Sequence, residues 1–195
     1  MTTTNKLEQA FYLFDKANEQ DPNKEIYKGK EYAKEVLYAM RMTDKLNSFA
    51  PNASETLQLT ARCQHICRWE IPRDSYEINR TGYLKWRQDL KKYHAKKASE
   101  ILTAVGYDQN TIEKVAFLLE KKQLKKNEET QTLEDVICLV FLEFYFEPFA
   151  KKYSEEKLID ILQKTWRKMS EKGQNAALKL PLSKSSLELV GKALS

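Results

Sequence analysis

Arg62-Cys63-Gln64-His65-Ile66-Cys67-Arg68-Trp69-Glu70-Ile71-Pro72-Arg73 gathers three arginines, a histidine, a glutamine and a tryptophan into twelve residues. Immediately upstream, Pro51-Asn52-Ala53-Ser54-Glu55 reads as a helix start, with Asn52 as the expected N-cap and Glu55 three residues on. At about 100° per residue, Leu59, Cys63, Ile66 and Cys67 share one face of the predicted helix. Arg62, Gln64, His65 and Arg68 fan across the other, together with Leu57 and Ala61. Between Thr60 and Trp69 there is no Lys, Glu or Asp, whereas an ordinary solvated face of so charged a chain would carry some. The polar side is therefore expected to face protein or a ligand. Pro72 ends the helix, because the residue before a proline is pushed out of the α region.

Around that stretch the composition is helical in character. Only five Gly and five Pro occur in 195 residues, and the 31% of charged residues are mostly Lys and Glu, which suits helices on propensity grounds. The length predicts a single all-α domain over 1–195, with its core in about 30–173 and a C-terminal tail helix in 174–195. The net charge of +5 and pI of about 8.9 are compatible with an anionic ligand. They are too weak to imply nucleic acid without a clustered patch. Cys63, Cys67 and Cys138 lack Cys-x-x-Cys spacing and read as reduced, packed thiols. The N-terminus lacks the apolar run of a signal peptide, and Val136–Phe146 is too short to span a bilayer. A soluble, cytoplasmic chain with no membrane partner is expected; the oligomeric state is not legible.

In chain order, an amphipathic helix is predicted over Leu7–Asn18 and a second over Lys30–Phe49. Next comes the helix bearing His65, then an irregular segment from Ile71 to Thr81 ending at Gly82. A long helix runs from Tyr83 to a C′ glycine at Gly106, with Trp86, Leu90, Tyr93 and His94 on its inner stripe. Asp108 caps the following helix. Thr132 and Asp135 resemble a capping box opening a buried helix over Leu133–Glu147. Ser154 caps a helix over Glu155–Lys172 closed by Gly173, and Ser185–Leu194 forms the tail helix. No strand is expected.

The arginine-rich stretch points to a pocket for a small phosphate- or carboxylate-bearing ligand. Arg62, Arg68, Arg73 and Arg87 would clamp the anion, Trp69 or Trp86 would stack on it, and Gln64 and His65 would orient it, with Glu134 nearby. His65 is the one candidate catalytic residue. A dedicated metal site is not expected; a single divalent ion, if present, would use His65, His94 and Asp135. Lysines at 91–97 and 121–126 offer an alternative, RNA binding, which is not favoured. The chain has no Gly-rich phosphate loop, dinucleotide fingerprint, zinc-protease motif or nucleophile elbow. Lys168-Met169-Ser170-Glu171-Lys172 resembles the mobile signature loop of class I aminoacyl-tRNA synthetases. Here it falls at the end of a charged helix without its His-rich companion motif, so the chain is not read as a synthetase.

Two family resemblances add to this reading. Arg41-Met42-Thr43, the Arg62–Arg73 stretch, Gly82-Tyr83-Leu84-Lys85-Trp86-Arg87, Gln131-Thr132-Leu133-Glu134-Asp135 and Lys164-Thr165-Trp166 are similar to a bacterial and fungal family, domain of unknown function 4202, whose members are at times labelled glutamyl-tRNA synthetase. That resemblance implies a helical fold and no particular activity. More distantly, the chain resembles the HD phosphohydrolases, helical metal enzymes that cleave phosphate esters. His65, His94 and Asp135 fall where three of their metal-site residues would lie. Ile66 replaces the Asp of the His-Asp pair, and the helix around Tyr38 and Arg41 offers no first histidine. The resemblance implies a degenerate HD-like site in which the metal-dependent hydrolase is the alternative to plain anion binding.

Overall fold

The structure, a computed structural model, describes residues 5–195. The chain is all-α, with one small hairpin as its only sheet among the described residues. It divides into two compact units. One comprises Asn52–Lys122 and the chain up to Asn47; the other comprises Ser48–Pro51 and Gln123–Ser195.

In the first unit, α1 (Lys6–Asn18) is followed by a hairpin, β1 (Lys24–Tyr27) and β2 (Lys30–Ala33), paired antiparallel with Tyr27 opposite Lys30. This corrects the expectation of no strand and of a helix from Lys30. Lys28 and Gly29 both have positive φ, 51° and 76°, the requirement of the two-residue turn that matches strand twist. The hairpin has work to do: Glu25 pairs with the buried Arg41 at 2.7 Å, and Tyr27 lies 4.9 Å beneath its guanidinium. Helix α2 (Lys34–Phe49) begins only after the hairpin. Its first turn is held by Asp21, whose Oδ2 accepts from the Glu35 amide at 3.2 Å while Oδ1 accepts from the Asn23 amide at 2.9 Å.

Helix α3 (Glu55–Arg62) is capped by Ser54, which accepts from the Leu57 amide, not by Asn52. It also ends at Arg62, well before the predicted stop at Pro72. Turns follow it to Cys67, which adopts a left-handed conformation (φ 51°) and donates its amide to Asn18 Oδ1 of α1 at 2.9 Å. A helix cannot continue through such a residue. The chain instead turns, and a 3₁₀ turn covers Arg68–Glu70. Helix α4 (Arg80–Val105) starts three residues before the predicted Tyr83, capped by Asn79, and stops at Gly106 (φ 87°) as expected. Asp108 caps α5 (Gln109–Leu119) through the Thr111 amide. The core joins α1, α3, α4 and α5 around Phe14, Leu59, Cys63, Ile66, Leu102 and Leu119, all at most 1% exposed. Each such aliphatic or aromatic side chain contributes roughly 1.5–3 kcal/mol by leaving water.

In the second unit, α6 (Glu128–Val140) is capped by Asn127, so Thr132 lies inside the helix rather than at its start. A π-helical turn at Phe141–Tyr145 joins it to α7 (Phe146–Ala150). Ser154 caps α8 (Glu155–Lys168) as predicted, but this helix stops before Lys172. Ser170 then caps a separate α9 (Glu171–Ala177), and α10 (Lys184–Leu194) ends the chain. Leu139, Leu142, Phe146, Leu158, Leu162 and Met169 form the centre of this unit's core.

All three cysteines are free and buried. Among the described residues, no helix is long and apolar enough to cross a membrane.

Candidate functional site

The turn after α3 places His65 against α2 and Arg68 against α4. The His65 ring stacks on Tyr38 of α2, with centroids 3.9 Å apart and planes 9° from parallel. Its Nδ1 lies 3.4 Å from Oε2 of Glu35, one turn earlier on α2. The His94 ring of α4 lies 6.0 Å from that of His65, and its Nδ1 sits 2.8 Å from the Ile66 carbonyl oxygen. The Arg68 guanidinium covers Trp86 of α4 at 4.8 Å, while the indole Nε1 donates to the Ile71 carbonyl at 2.9 Å. Glu35 is 6% and His94 4% exposed, whereas His65 retains 23% exposure.

Charge inside this cluster is lopsided. Burial lowers the His65 imidazole well below its ordinary value, and Arg68, Arg87, Lys121 and Lys34 all push it further down. The ring is thus neutral at pH 7. Burial likewise brings His94 to about 3, with His65 and Arg68 adding to the effect. Burial raises the Glu35 carboxyl to about 7 despite the opposing Arg68 and Lys34, with Asp21 reinforcing the rise. Arg68 is lowered by burial and by Arg87, with Glu35 acting the other way. Four positive side chains therefore bear on a neutral, partly open imidazole, with the Glu35 carboxyl, only half ionised near neutrality, at 3.4 Å from it.

The other arginines of the sequence prediction are engaged elsewhere. Arg62 grips Asp15 of α1 through Nε and Nη2, donates to Thr43 Oγ1 at 3.2 Å, and lies 5.2 Å over Phe11. Arg73 donates to the carbonyls of Tyr76, Glu77 and Asn79, so it braces the loop before α4. Trp69 packs against the core of the first unit. Gln64 is 5% exposed, with Oε1 lacking a hydrogen-bond partner among the described residues. Glu134 lies in the second unit, buried on α6, with Lys168 Nζ at 4.0 Å.

Asp135, also on α6, accepts from the Ser170 amide at 2.8 Å, from the Ser170 hydroxyl, and from Gln131 Nε2 at 3.0 Å. It thereby anchors the start of α9, and Gly173 packs so closely on its carboxylate that a Cβ there would lie 2.6 Å away. Among the described residues, no three His, Cys, Asp or Glu residues are grouped to hold a metal ion.

Sequence reasoning missed Glu35 and Tyr38. Glu35 stands next to Lys34 and looks like part of a charged helical face; only the buried first turn of α2 reveals it.

The motifs carrying the family resemblance now have structural roles. Arg41 ties α2 to the hairpin, Thr43 receives Arg62, Trp86 underlies Arg68, and Gln131 and Asp135 hold α9. The family model for domain of unknown function 4202 (DUF4202) matches residues 8–190. The chain belongs to the DUF4202 family. That match extends over nearly all of both units. Searches of curated proteins and of solved structures found no match, so the DUF4202 site is read from its own geometry.

Proposed function

We propose that this DUF4202 chain binds a small phosphate- or carboxylate-bearing molecule beside His65. Arg68 and Arg87 act as clamps, the neutral His65 as an orienting hydrogen-bond group, and Trp86 as the support that holds Arg68 in place. The observation carrying this reading is the Arg68 guanidinium, held 4.8 Å over Trp86, beside a partly open His65 ring that burial and the positive charges of Arg68, Arg87, Lys121 and Lys34 keep neutral. An anion relieves the mutual repulsion of these cations, and a site partly withdrawn from water strengthens each contact. Arg62 and Arg73 are supports rather than clamps, because their donors serve Asp15, Thr43 and backbone carbonyls.

The same charge distribution disfavours the metal-dependent, HD-like phosphohydrolase. A divalent cation at His65 and His94 would be repelled by four positive side chains, and Asp135 is engaged at the start of α9. RNA binding would draw instead on the exposed lysines of α4, of which Lys96 faces Glu100 at 4.0 Å and Lys97 faces Glu70 at 3.6 Å.

Thermal shift with inorganic phosphate, pyrophosphate and citrate, each in excess EDTA, tests the proposal. Ligand at a hundred times its Kd stabilises by about 2.7 kcal/mol, which for a chain of this size is roughly 5–10 °C. At least one of the three is expected to raise Tm in this way, and Arg87→Ala, at a partly exposed position, to remove most of the shift. An absence of stabilisation by all three, or a shift unchanged in both Arg68→Ala and Arg87→Ala, overturns it.

A further inference from the structure

Two buried polar atoms of the site lack a hydrogen-bond partner among the described residues. His94 Nδ1 contacts a backbone carbonyl, the Ile66 oxygen, which can only accept. Nδ1 must therefore carry the ring proton, leaving Nε2 as a lone-pair acceptor. That Nε2 is buried without a hydrogen-bond partner among the described residues, in a ring 4% exposed whose charged neighbours include Arg68 and Glu35. Oε2 of Glu35 is likewise buried without a hydrogen bond, with His65 Nδ1 at 3.4 Å. A buried polar atom left unserved costs about 1–3 kcal/mol. Two of them beside a cluster of cations is an arrangement suited to a molecule that brings donors as well as negative charge.

We infer that the anion bound at His65 is a hydroxylated phosphate ester of the sugar-phosphate kind, with one hydroxyl donating to Nε2 of His94 and a second within reach of Glu35. The inference rests on the anion-site reading above. Phosphate suits the clamps, since Arg68 and Arg87 each present a planar fork of donors and a phosphate group offers several oxygens to both. Hydroxyls suit the acceptors better than amines do. An amine would arrive as an ammonium among Arg68, Arg87 and Lys34 and be repelled by the charges that hold the phosphate. Sites built around buried acceptors also discriminate strongly against analogues that lack the matching donor, because binding such an analogue seals the acceptor off unpaired.

Calorimetric titration at pH 8, where the Glu35 carboxyl is mostly ionised, separates the two layers of the argument. The probes are methyl phosphate, glycerol 3-phosphate and ribose 5-phosphate, which share the anion and differ in their hydroxyls. At least one hydroxylated ester is expected to bind about ten-fold or more tighter than methyl phosphate, the advantage worth one well-made hydrogen bond to a buried group. His94→Asn keeps a side-chain donor for the Ile66 carbonyl and removes the acceptor, and it should collapse that ratio to within about two-fold. His94→Phe keeps a ring without either nitrogen and gives the same reading if the Asn variant fails to fold. Equal affinities for the three esters in the wild type overturn the hydroxyl inference while leaving the anion site standing. A ratio that survives loss of the imidazole also overturns it. Silence of all three esters overturns the ester inference, and where phosphate, pyrophosphate and citrate are silent as well it removes the anion site itself.

Discussion

Glu35 carries a carboxyl that burial brings to about 7 from an ordinary 4.5, with Arg68, Asp21, Lys34 and His94 as the charged groups that bear on it and His65 beside it. Between those two pH values the folded chain keeps a proton that the unfolded chain has released, so this residue makes stability fall as pH rises from 4.5 through 7. His94 acts with the opposite sign. Its value of about 3 lies below the ordinary 6.5, so stability is lost as pH falls from 6.5 toward 3. Glu35→Gln removes the first effect alone. At about 1.4 kcal/mol per pKa unit the gain is bounded at roughly 3 kcal/mol. Urea denaturation at pH 5 and pH 8 should show the variant gaining on the wild type as pH rises. A gap independent of pH, or one that narrows toward pH 8, contradicts the assignment. His65 and Arg68 stand out in the sequence because a run without Lys, Glu or Asp in so charged a chain needs a reason. Glu35 does not stand out, since its burial depends on the hairpin and on Asp21, neither of which leaves a periodic signal.

Among the elements, the capped and glycine-closed ones were the most legible. Asp108, Ser154 and Gly106 act as read, because caps are local chemistry within a few residues. The break after Arg62 was not legible. The turn that follows it is held by a hydrogen bond from Cys67 to Asn18, 49 positions away, and cysteine carries no preference for the left-handed region that it occupies. The hairpin was hidden for a similar reason, as Lys28-Gly29 is a weaker turn signal than Asn-Gly. The entry to α4 offers a direct check at this scale. A Cβ at Gly82 would lie 2.2 Å from the Glu77 carbonyl oxygen, so Gly82→Ala must displace backbone and should cost about 1–3 kcal/mol. Gly191, inside α10 with nothing within 4 Å of an added Cβ, should instead gain about 0.5–1 kcal/mol as Ala. Chemical denaturation of the two variants reads both; a neutral Gly82→Ala would contradict the close approach that frames Arg73 and α4.

Across the whole molecule, the all-α class follows from composition and periodicity, and the helices of the described residues bear it out. The net charge of +5 is less informative than its distribution. Lys92 and Lys96 are exposed on α4, and Lys96 faces Glu100 one turn on at 4.0 Å, an ordinary solvated arrangement. Reversing both to Glu should therefore leave the phosphate-dependent thermal shift within about two-fold in apparent affinity at 150 mM salt, whereas Arg87→Ala removes it. If the lysine reversals abolish the shift and Arg87→Ala does not, the binding face is the lysine surface rather than the His65 site. The chain contains only two histidines, which makes the most direct measurement of that site a ¹⁵N imidazole spectrum recorded during titration with ribose 5-phosphate. Both rings are predicted to stay neutral from pH 6 to 8 in the free chain, and His65 to move saturably as the ester is added. A His65 ring that titrates near its ordinary value of 6.5, or that ignores the ester at saturating concentration, would contradict an anion site built around it.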